Sequence, residues 1–227
     1  MCILSSIIFL SCSIKSDKSK INENETNTNL DESDILITVN TDASLKHMYN
    51  TIDEFNKSND VELIIKGIIS NVQYTYIDGC AYSILSIDIL KSYKGNSPKK
   101  IIVYEDGGYV KVKDMINELK NHIDTSKLSQ NQIENDVVDI KFFNSEHSKI
   151  GEQVILYLTP NSAPLPTDSY RIISSLYGRF TLDKTSGKYK RIELDGKNDK
   201  VGSKNVGLPN KYEQDISETD MSNKFKN

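Results

Sequence analysis

Residues 61–93 read VELIIKGIISNVQYTYIDGCAYSILSIDILKSY, and this stretch decides the fold. Its first half, residues 61–77, is rich in the β-branched and aromatic residues that favour strands. Asp78-Gly79 is a hairpin turn signal, because both turn positions require a positive φ that Asp and Gly tolerate. Residues 81–93 read as the return strand, with Ser83, Leu85, Ile87 and Ile89 on one side and Tyr82, Ile84, Asp88 and Leu90 on the other. The sequence therefore predicts a hairpin of two long strands.

Gly67 lies inside the first of these strands. A glycine within a strand indicates a bulge or a sharp bend, since it has no side chain to pack. Turn signals separate the hairpin from further strand patterns, which are predicted at residues 100–104, 152–158, 170–182 and 188–194.

Residues 113–140 have a different pattern, which we interpret as a helical insertion between strands. Met115, Ile116, Leu119 and Ile123 recur at helical spacing. A second helix is predicted from Thr41 or Asp42 to about Phe55, after a short strand at 35–39. The expected fold has mainly β structure with minor α structure.

Five or six strands with one or two accessory helices favour a small closed barrel, since closure removes sheet edges. A first strand coiled at a glycine is typical of OB-like barrels. We expect this barrel domain to span residues 35–194. Residues 195–227 are polar and rich in Gly, Asn and Lys, and we predict a disordered tail there.

The N-terminus carries an apolar run of eight residues, 3–10, that ends at Ser11-Cys12. This run is too short to span a bilayer, which needs roughly 20 helical residues, but it suits the apolar part of a signal peptide. Residues 1–11 are therefore predicted to be a lipoprotein-type signal peptide. Since no Lys or Arg precedes Cys12, we expect this leader to be incomplete at its start.

Residues 12–34 are predicted to be a lipidated cysteine followed by a disordered tether. After Cys12 the segment has almost no apolar side chains, with three Lys against six Asp and Glu. Such a composition cannot bury enough apolar surface to offset the entropy of ordering. A leader, a cysteine and a polar tether together predict a domain held at the outer face of the cell membrane.

Composition excludes several classes of protein. The net charge is −4 and no basic stripe occurs, so a nucleic-acid partner is not expected. The three cysteines are Cys2, Cys12 and Cys80, and cleavage before Cys12 would leave Cys80 as the one unmodified thiol. A disulfide scaffold within one chain is then impossible.

Turn and strand motifs resemble a known family. They include Gly67-x-Ile69, Tyr93-Lys94-Gly95, Glu105-x-Gly107-Gly108 and Tyr177-Gly178-Arg179-Phe180. Over roughly residues 61–192, the chain resembles uncharacterised lipoproteins of low-GC Gram-positive bacteria. Their domain looks like the OB-type barrel of tissue inhibitors of metalloproteinases and netrin modules. The resemblance implies a thioether-linked diacylglycerol on Cys12, and it brings no catalytic residue.

Two sets of residues are candidates for a binding surface. Tyrosines cluster on the first three strands and their turns, where rings can stack on sugars, bases or peptide. All three arginines lie within residues 171–191, and each offers a rigid fork for carboxylate or phosphate. A structural ion pair is the favoured alternative for the arginines, and ordinary strand preference for the tyrosines. The candidates are Tyr74, Tyr76, Tyr82, Tyr104, Tyr109, Arg171, Arg179 and Arg191, with Tyr93 in the same cluster.

No sequence motif for catalysis, a metal or a cofactor is found, and none of the three is expected. His47, His122 and His147 are far apart in sequence, and we interpret them as exposed polar residues. Cys80 is predicted to be a small, partly buried thiol.

The favoured function is a lipid-anchored, non-enzymatic binding or scaffold module, whose ligand is a peptide or glycan of the envelope or the exterior. The alternatives are a protease inhibitor that acts through a loop and a hydrolase whose site is assembled from distant residues.

Overall fold

The structure is a computed structural model that describes residues 34–41, 49, 51–191 and 215–225. The leader, Cys12, the tether to residue 33, His47 and tail residues 195–214 lie outside these ranges. Residues 42–48 and 50 of the helix predicted from Thr41 or Asp42 to Phe55 lie outside them as well.

The described residues form eleven strands and four helices. The strands are β1 (Ile35–Thr41), β2 (Leu63–Ile77), β3 (Cys80–Lys94), β4 (Lys100–Asp106), β5 (Gly108–Lys111), β6 (Val137–Phe142), β7 (Gln153–Pro160), β8 (Tyr170–Ile172), β9 (Arg179–Asp183), β10 (Lys188–Arg191) and β11 (Asp215–Ile216). The helices are α1 (Ile52–Lys57), α2 (Ile116–Leu119), α3 (Gln130–Asn135) and α4 (Glu218–Lys224). The mainly β class is confirmed.

Five strands close into a ring. The strand order around the ring is β7, β2, β3, β4 and β8, and β8 pairs with β7 again. All neighbours are antiparallel except β4 and β8, which are parallel. This is the five-stranded Greek-key barrel of an OB-like fold. The prediction of five or six strands describes the ring, but β9, β10 and β11 extend the same sheet beyond it.

The β2–β3 hairpin forms as predicted. Asp78 and Gly79 both have positive φ, at 50° and 79°, as a two-residue hairpin turn of this type requires. The pairing register shifts between Lys66 and Gly67, which confirms an irregularity at that glycine. A Cβ at Gly67 would lie 2.5 Å from Cγ2 of Ile87 on β3, so no larger residue fits without a shift.

Apolar side chains from all five ring strands fill the barrel. Strand residues alternate between faces, so every second residue points inward. The buried interior residues are Leu63, Ile65, Ile69, Leu85, Ile87, Ile101, Val103, Val154, Leu156, Leu158 and Ile172.

A second sheet of three strands, in the order β1, β6 and β5, was not predicted as such. The sequence analysis places residues 137–140 in the helical insertion. This assignment is wrong, because these residues belong to strand β6, which pairs with β1 on one side and with β5 on the other. Val137 and Val138 are fully buried, and their β-branched side chains suit a strand. Helices α2 and α3 do lie within the insertion.

Two further boundaries differ from the prediction. The strand expected over residues 170–182 is two strands, β8 and β9, separated by a 3₁₀ turn at Ser175–Gly178. Ser174 and Ser175 both have a left-handed backbone, with φ of 52° and 55°, which a continuous strand cannot contain. The expected helix to Phe55 begins at Ile52, where Thr51 forms a capping box with Glu54.

The tail prediction is wrong for residues 215–225. Strand β11 pairs with β10, and Ser217 caps the N-terminus of α4. Ile216 and Met221 are buried in a cluster outside the barrel, together with Phe55, Tyr157 and Tyr189. Four helices are therefore described instead of the one or two expected.

Candidate functional site

The outer surface of β3, β4 and β8 brings together three predicted residues. Leu85 and Val103 point into the barrel, so the residues next to them in sequence point outward. Tyr104 pairs with Ile84 on one side and with Arg171 on the other. Two residues further along each strand, and on the same face, Tyr82 pairs with Asp106. We call Tyr82, Ile84, Tyr104, Asp106 and Arg171 the outer tyrosine face.

The rings of this face have unequal exposure. Tyr104 is only 8% exposed, whereas Tyr82 and Ile84 are half-buried. The Tyr82 and Tyr104 ring centroids are 6.0 Å apart at an interplanar angle of 75°, an edge-to-face contact. The buried Tyr104 ring therefore packs edge-to-face against the more exposed Tyr82 ring.

Two opposite charges border the rings. The Arg171 side chain is exposed, while Asp106 is half-buried. Burial raises the pKa of the Asp106 carboxyl above its ordinary value of 3.8, and the nearby Ser175 hydroxyl and then the positive charge of Arg171 oppose that rise. The face thus offers one carboxyl and one guanidinium beside an aromatic ring.

On the side that faces the barrel interior, strands β2, β3 and β4 carry a row of polar residues beyond the apolar core. Val72, Leu85 and Val103 lie side by side in the barrel core. Two residues further along each strand, Tyr74 pairs with Ser83, and Ser83 pairs with Glu105. This row closes one end of the apolar interior.

Arg179 on β9 neutralises the negative charge of Glu105 in this polar row. It forms an ion pair with Glu105 and donates to the hydroxyl of Ser148, and its Nη2 lies 3.2 Å from the carbonyl oxygen of Glu146. Arg179 and Glu105 are 5% and 2% exposed, so this ion pair is almost fully removed from water. Arg179 therefore forms a structural ion pair, which was the favoured alternative to a ligand-binding role for the arginines.

A carboxylate–imidazole pair lies beside this ion pair. His147 Nε2 is 2.6 Å from Oδ1 of Asp139, whose Oδ2 accepts a hydrogen bond of 3.3 Å from Thr38. Lys141 Nζ is 3.8 Å from the same Oδ2. Asp139 is 3% exposed, and these three side chains contact its buried carboxyl group.

Aromatic rings enclose His147. The Tyr109 and Tyr74 ring centroids lie 4.9 and 6.2 Å from that of His147, and 4.9 Å from one another. Burial, with the nearby Tyr109 and Glu105, raises the pKa of Tyr74 to about 12. We call the whole cluster the polar end of the barrel: Tyr74, Ser83, Glu105, Tyr109, Asp139, His147 and Arg179.

Two glycines link the outer tyrosine face to the polar end. Gly107 and Gly108 follow β4 with φ of 93° and 146°, which turn the chain from the barrel into β5. A Cβ on Gly108 would lie 2.8 Å from the Tyr74 ring. The sequence predicts only a turn at this position, and strand β5 was missed.

The eight predicted surface residues do not form one surface. Tyr82, Tyr104 and Arg171 lie on the outer tyrosine face, whereas Tyr74, Tyr109 and Arg179 lie in the polar end. The remaining candidates serve other contacts: Tyr76 packs against the core of the second sheet, and Arg191 lies over the rings of Phe55, Tyr177 and Phe180. Tyr93 packs against Phe225 beyond α4.

Sequence reasoning missed the acidic residues and misjudged one histidine. His122 is exposed as predicted. The side chain of His147 is only 10% exposed, so the prediction that His147 is an exposed polar residue is wrong. The available signal was Asp139, a charged residue between Val138 and Ile140 in an apolar run. A charge in such a run needs a partner.

Within the described ranges, no three His, Cys, Asp or Glu residues are grouped as metal ligands would be. Cys80 is half-buried beside the hairpin turn, and it forms no disulfide within the described ranges. None of the described helices has the length and apolar character needed to cross a bilayer.

Fold and site together define a class of protein: an OB-like β-barrel domain with an appended three-stranded sheet and a tyrosine-bearing outer face. Comparison of the chain with protein-family models, with curated proteins and with solved structures finds no match.

Proposed function

We propose that the chain is a lipid-anchored, non-catalytic binding module that contacts an envelope or extracellular ligand through the outer tyrosine face. The observation that carries this proposal is the register of β3, β4 and β8, which places Tyr82, Tyr104 and Arg171 together.

The physical properties of this face support binding. Tyr and Arg are enriched among the residues that contribute most to binding at protein interfaces, because each combines a large contact area with a polar group. The ring strands fix the backbone of the face, so little ordering entropy is lost when a ligand binds.

Binding is tested with the full chain and a panel of tetrasaccharides and tetrapeptides, using saturation-transfer NMR on the ligands. We expect at least one member of the panel to receive saturation, and Tyr82→Ala to abolish the transfer. A panel without any transfer, or transfer that Tyr82→Ala leaves unchanged, would contradict the proposed face.

We propose the cellular location of the module from the predicted leader and Cys12. A diacylglycerol on the Cys12 sulfur would hold the domain at the membrane, since two acyl chains give stable anchoring where one is marginal. Mass spectrometry of the mature N-terminus from native membranes should find an acylated Cys12. Cys12→Ser should release the protein from the membrane fraction, whereas the matched Cys80→Ser should not. A chain that retains Met1 and bears a bare Cys12 thiol would refute the anchor.

A hydrolase is the second candidate function, and the 2.6 Å contact between Asp139 and His147 favours it. A carboxylate that holds an imidazole is a common arrangement for general acid–base catalysis. The test compares hydrolysis of 4-nitrophenyl acetate by the full chain and by His147→Gln. A rate that falls to background in the variant would favour the hydrolase, and equal rates would favour the binding module.

A further inference from the structure

We propose that the outer tyrosine face binds a neutral glycan and not an extended peptide. This inference rests on the proposed function and specifies the ligand class of the same face. Three independent features support it: strand pairing, charge and ring placement.

The first feature is the closed ring of strands. β4 pairs with both β3 and β8, and β8 pairs with both β4 and β7. Proteins commonly bind an extended peptide by adding it as a strand to a sheet edge, where main-chain hydrogen bonds supply affinity. The centre of the outer tyrosine face has no such edge, since both neighbours of Tyr104 and Arg171 are hydrogen-bonded strands. A ligand there must be recognised by side chains.

The second feature is the balance of charge. Asp106, whose carboxyl also lies close to the Ser175 hydroxyl, and Arg171 supply one acidic and one basic group to the face. An anionic ligand would meet the carboxylate, and a cationic ligand would meet the guanidinium. A sugar hydroxyl fits both, because it donates to the carboxylate through its hydrogen and accepts from the guanidinium through its oxygen.

The third feature is the position of the Tyr82 ring. Its centroid lies 6.0 Å from that of the buried Tyr104 ring, and Ile84, two residues further along β3 on the same face, adds apolar area. A partly exposed ring held in this way can pack against the C–H surface of a pyranose at low entropic cost. The neighbouring carboxyl and guanidinium can then bind the hydroxyls at the rim of the sugar.

The experiment titrates the full chain with six tetrasaccharides and one peptide. The neutral probes are chitotetraose, maltotetraose, cellotetraose and mannotetraose. The charged probes are tetragalacturonate and tetraglucosamine, and the peptide is tetra-alanine. Saturation-transfer NMR gives the affinity of each. We expect at least one neutral probe to bind, and both charged probes and the peptide to bind at least about tenfold more weakly.

Variants separate the roles of the side chains. Tyr82→Ala should abolish binding of the neutral probe, whereas Tyr82→Phe should preserve it, because the ring and not the hydroxyl makes the contact. Arg171→Ala should weaken binding about tenfold. Lys149→Ala, at a lysine that is 70% exposed on the loop before β7, is the matched control and should change nothing.

The outcomes distinguish the two proposals. If the peptide binds best and Tyr82→Ala abolishes its binding, the glycan assignment is overturned while the binding module stands. If a charged probe binds best, the neutral class is overturned. If no probe binds, or if binding is independent of Tyr82, both the glycan and the binding face are overturned.

Discussion

The outer tyrosine face and the polar end of the barrel are built from the same residue types, and β3 and β4 contribute opposite sides to the two. Each contains two predicted tyrosines, one predicted arginine and at least one carboxyl group. Glu105 and Asp106 are adjacent in sequence, yet Glu105 lies in the polar end and Asp106 on the outer face. The side of the strand on which a residue lies therefore determines its environment here, whereas its type does not.

The consequence is a division of roles. Arg179 in the polar end is 5% exposed and makes several directed contacts, so its removal should affect stability. Arg171 on the outer face is exposed and lies near the Asp106 carboxyl, so its removal should affect ligand binding instead.

The largest effect is expected for Arg179→Met. Its removal leaves the Glu105 charge buried without its partner, which should lower the free energy of unfolding by about 3–5 kcal/mol. Arg171→Met, the matched change on the outer face, should cost less than about 0.5 kcal/mol. Urea unfolding of both variants measures the difference, and equal losses would contradict the division of roles.

A double variant sharpens this result. Replacing both buried charges, as in Glu105→Leu with Arg179→Met, removes the unpaired carboxylate. We expect the double variant to recover most of the stability that the single variant loses. No recovery would mean that the contacts of Arg179 with Ser148 and Glu146 stabilise the fold more than its ion pair does.

Gly108→Ala should have the next largest effect. The new Cβ would lie 2.8 Å from the Tyr74 ring, at a φ of 146° that side chains rarely adopt. Backbone strain and overpacking together should cost about 2–4 kcal/mol. Gly187→Ala is the control, since its φ is also positive but no atom lies within 4 Å, and about 1 kcal/mol is expected. Thermal or urea unfolding that ranks the two variants in the opposite order would refute the crowding at Gly108.

Tyr74 should make stability depend on alkaline pH. Its pKa is raised from 10.0 to about 12 by burial, so the folded chain keeps the proton that the unfolded chain releases. This contribution is complete below pH 10 and is lost as the pH rises through 12. Unfolding free energies measured between pH 9 and about 12 should fall less steeply in Tyr74→Phe. Superimposable profiles for the two proteins would show that Tyr74 ionises equally in both states.

The smallest effect is expected for Asp106→Asn. Because burial raises the pKa of Asp106, the folded state favours its protonated form, and stability falls as pH rises through that pKa. At neutral pH the uncharged amide should therefore raise the urea midpoint slightly. Asp88→Asn, at an exposed carboxylate 3.5 Å from Lys100, should shift stability by less than about 0.5 kcal/mol. A lower midpoint for Asp106→Asn would contradict burial as the dominant effect.

Local patterns predicted the barrel well. The β-branched and aromatic residues within 61–93, the Asp78-Gly79 turn and Gly67 specify a hairpin through short-range rules, and the structure confirms the hairpin, its turn and the irregularity at Gly67. The second sheet could not be predicted in this way, because β6 is a strand only when β1 and β5, distant in sequence, lie on either side of it. Strand β11 and α4 were missed for the same reason, since Ile216 and Met221 are single apolar residues in a polar segment and only the outer cluster buries them.

The candidate site was predicted in part. Aromatic and arginine enrichment identified Tyr82, Tyr104 and Arg171, but the same signal also selected Tyr76 and Arg191, which serve packing. Composition cannot separate these groups, because a side chain on a strand lies on one of two faces and pairing between strands decides which face is covered.

By itself the sequence determined the mainly β class, the first hairpin and the coiling point at Gly67, since each depends on residues close together in the chain. Only the tertiary structure decided that Glu105 meets Arg179, that Asp139 meets His147, and that Asp106 and Arg171 share an outer face. Those contacts join residues brought together by the closure of the ring and the docking of the second sheet, and no periodicity along the chain encodes such pairings.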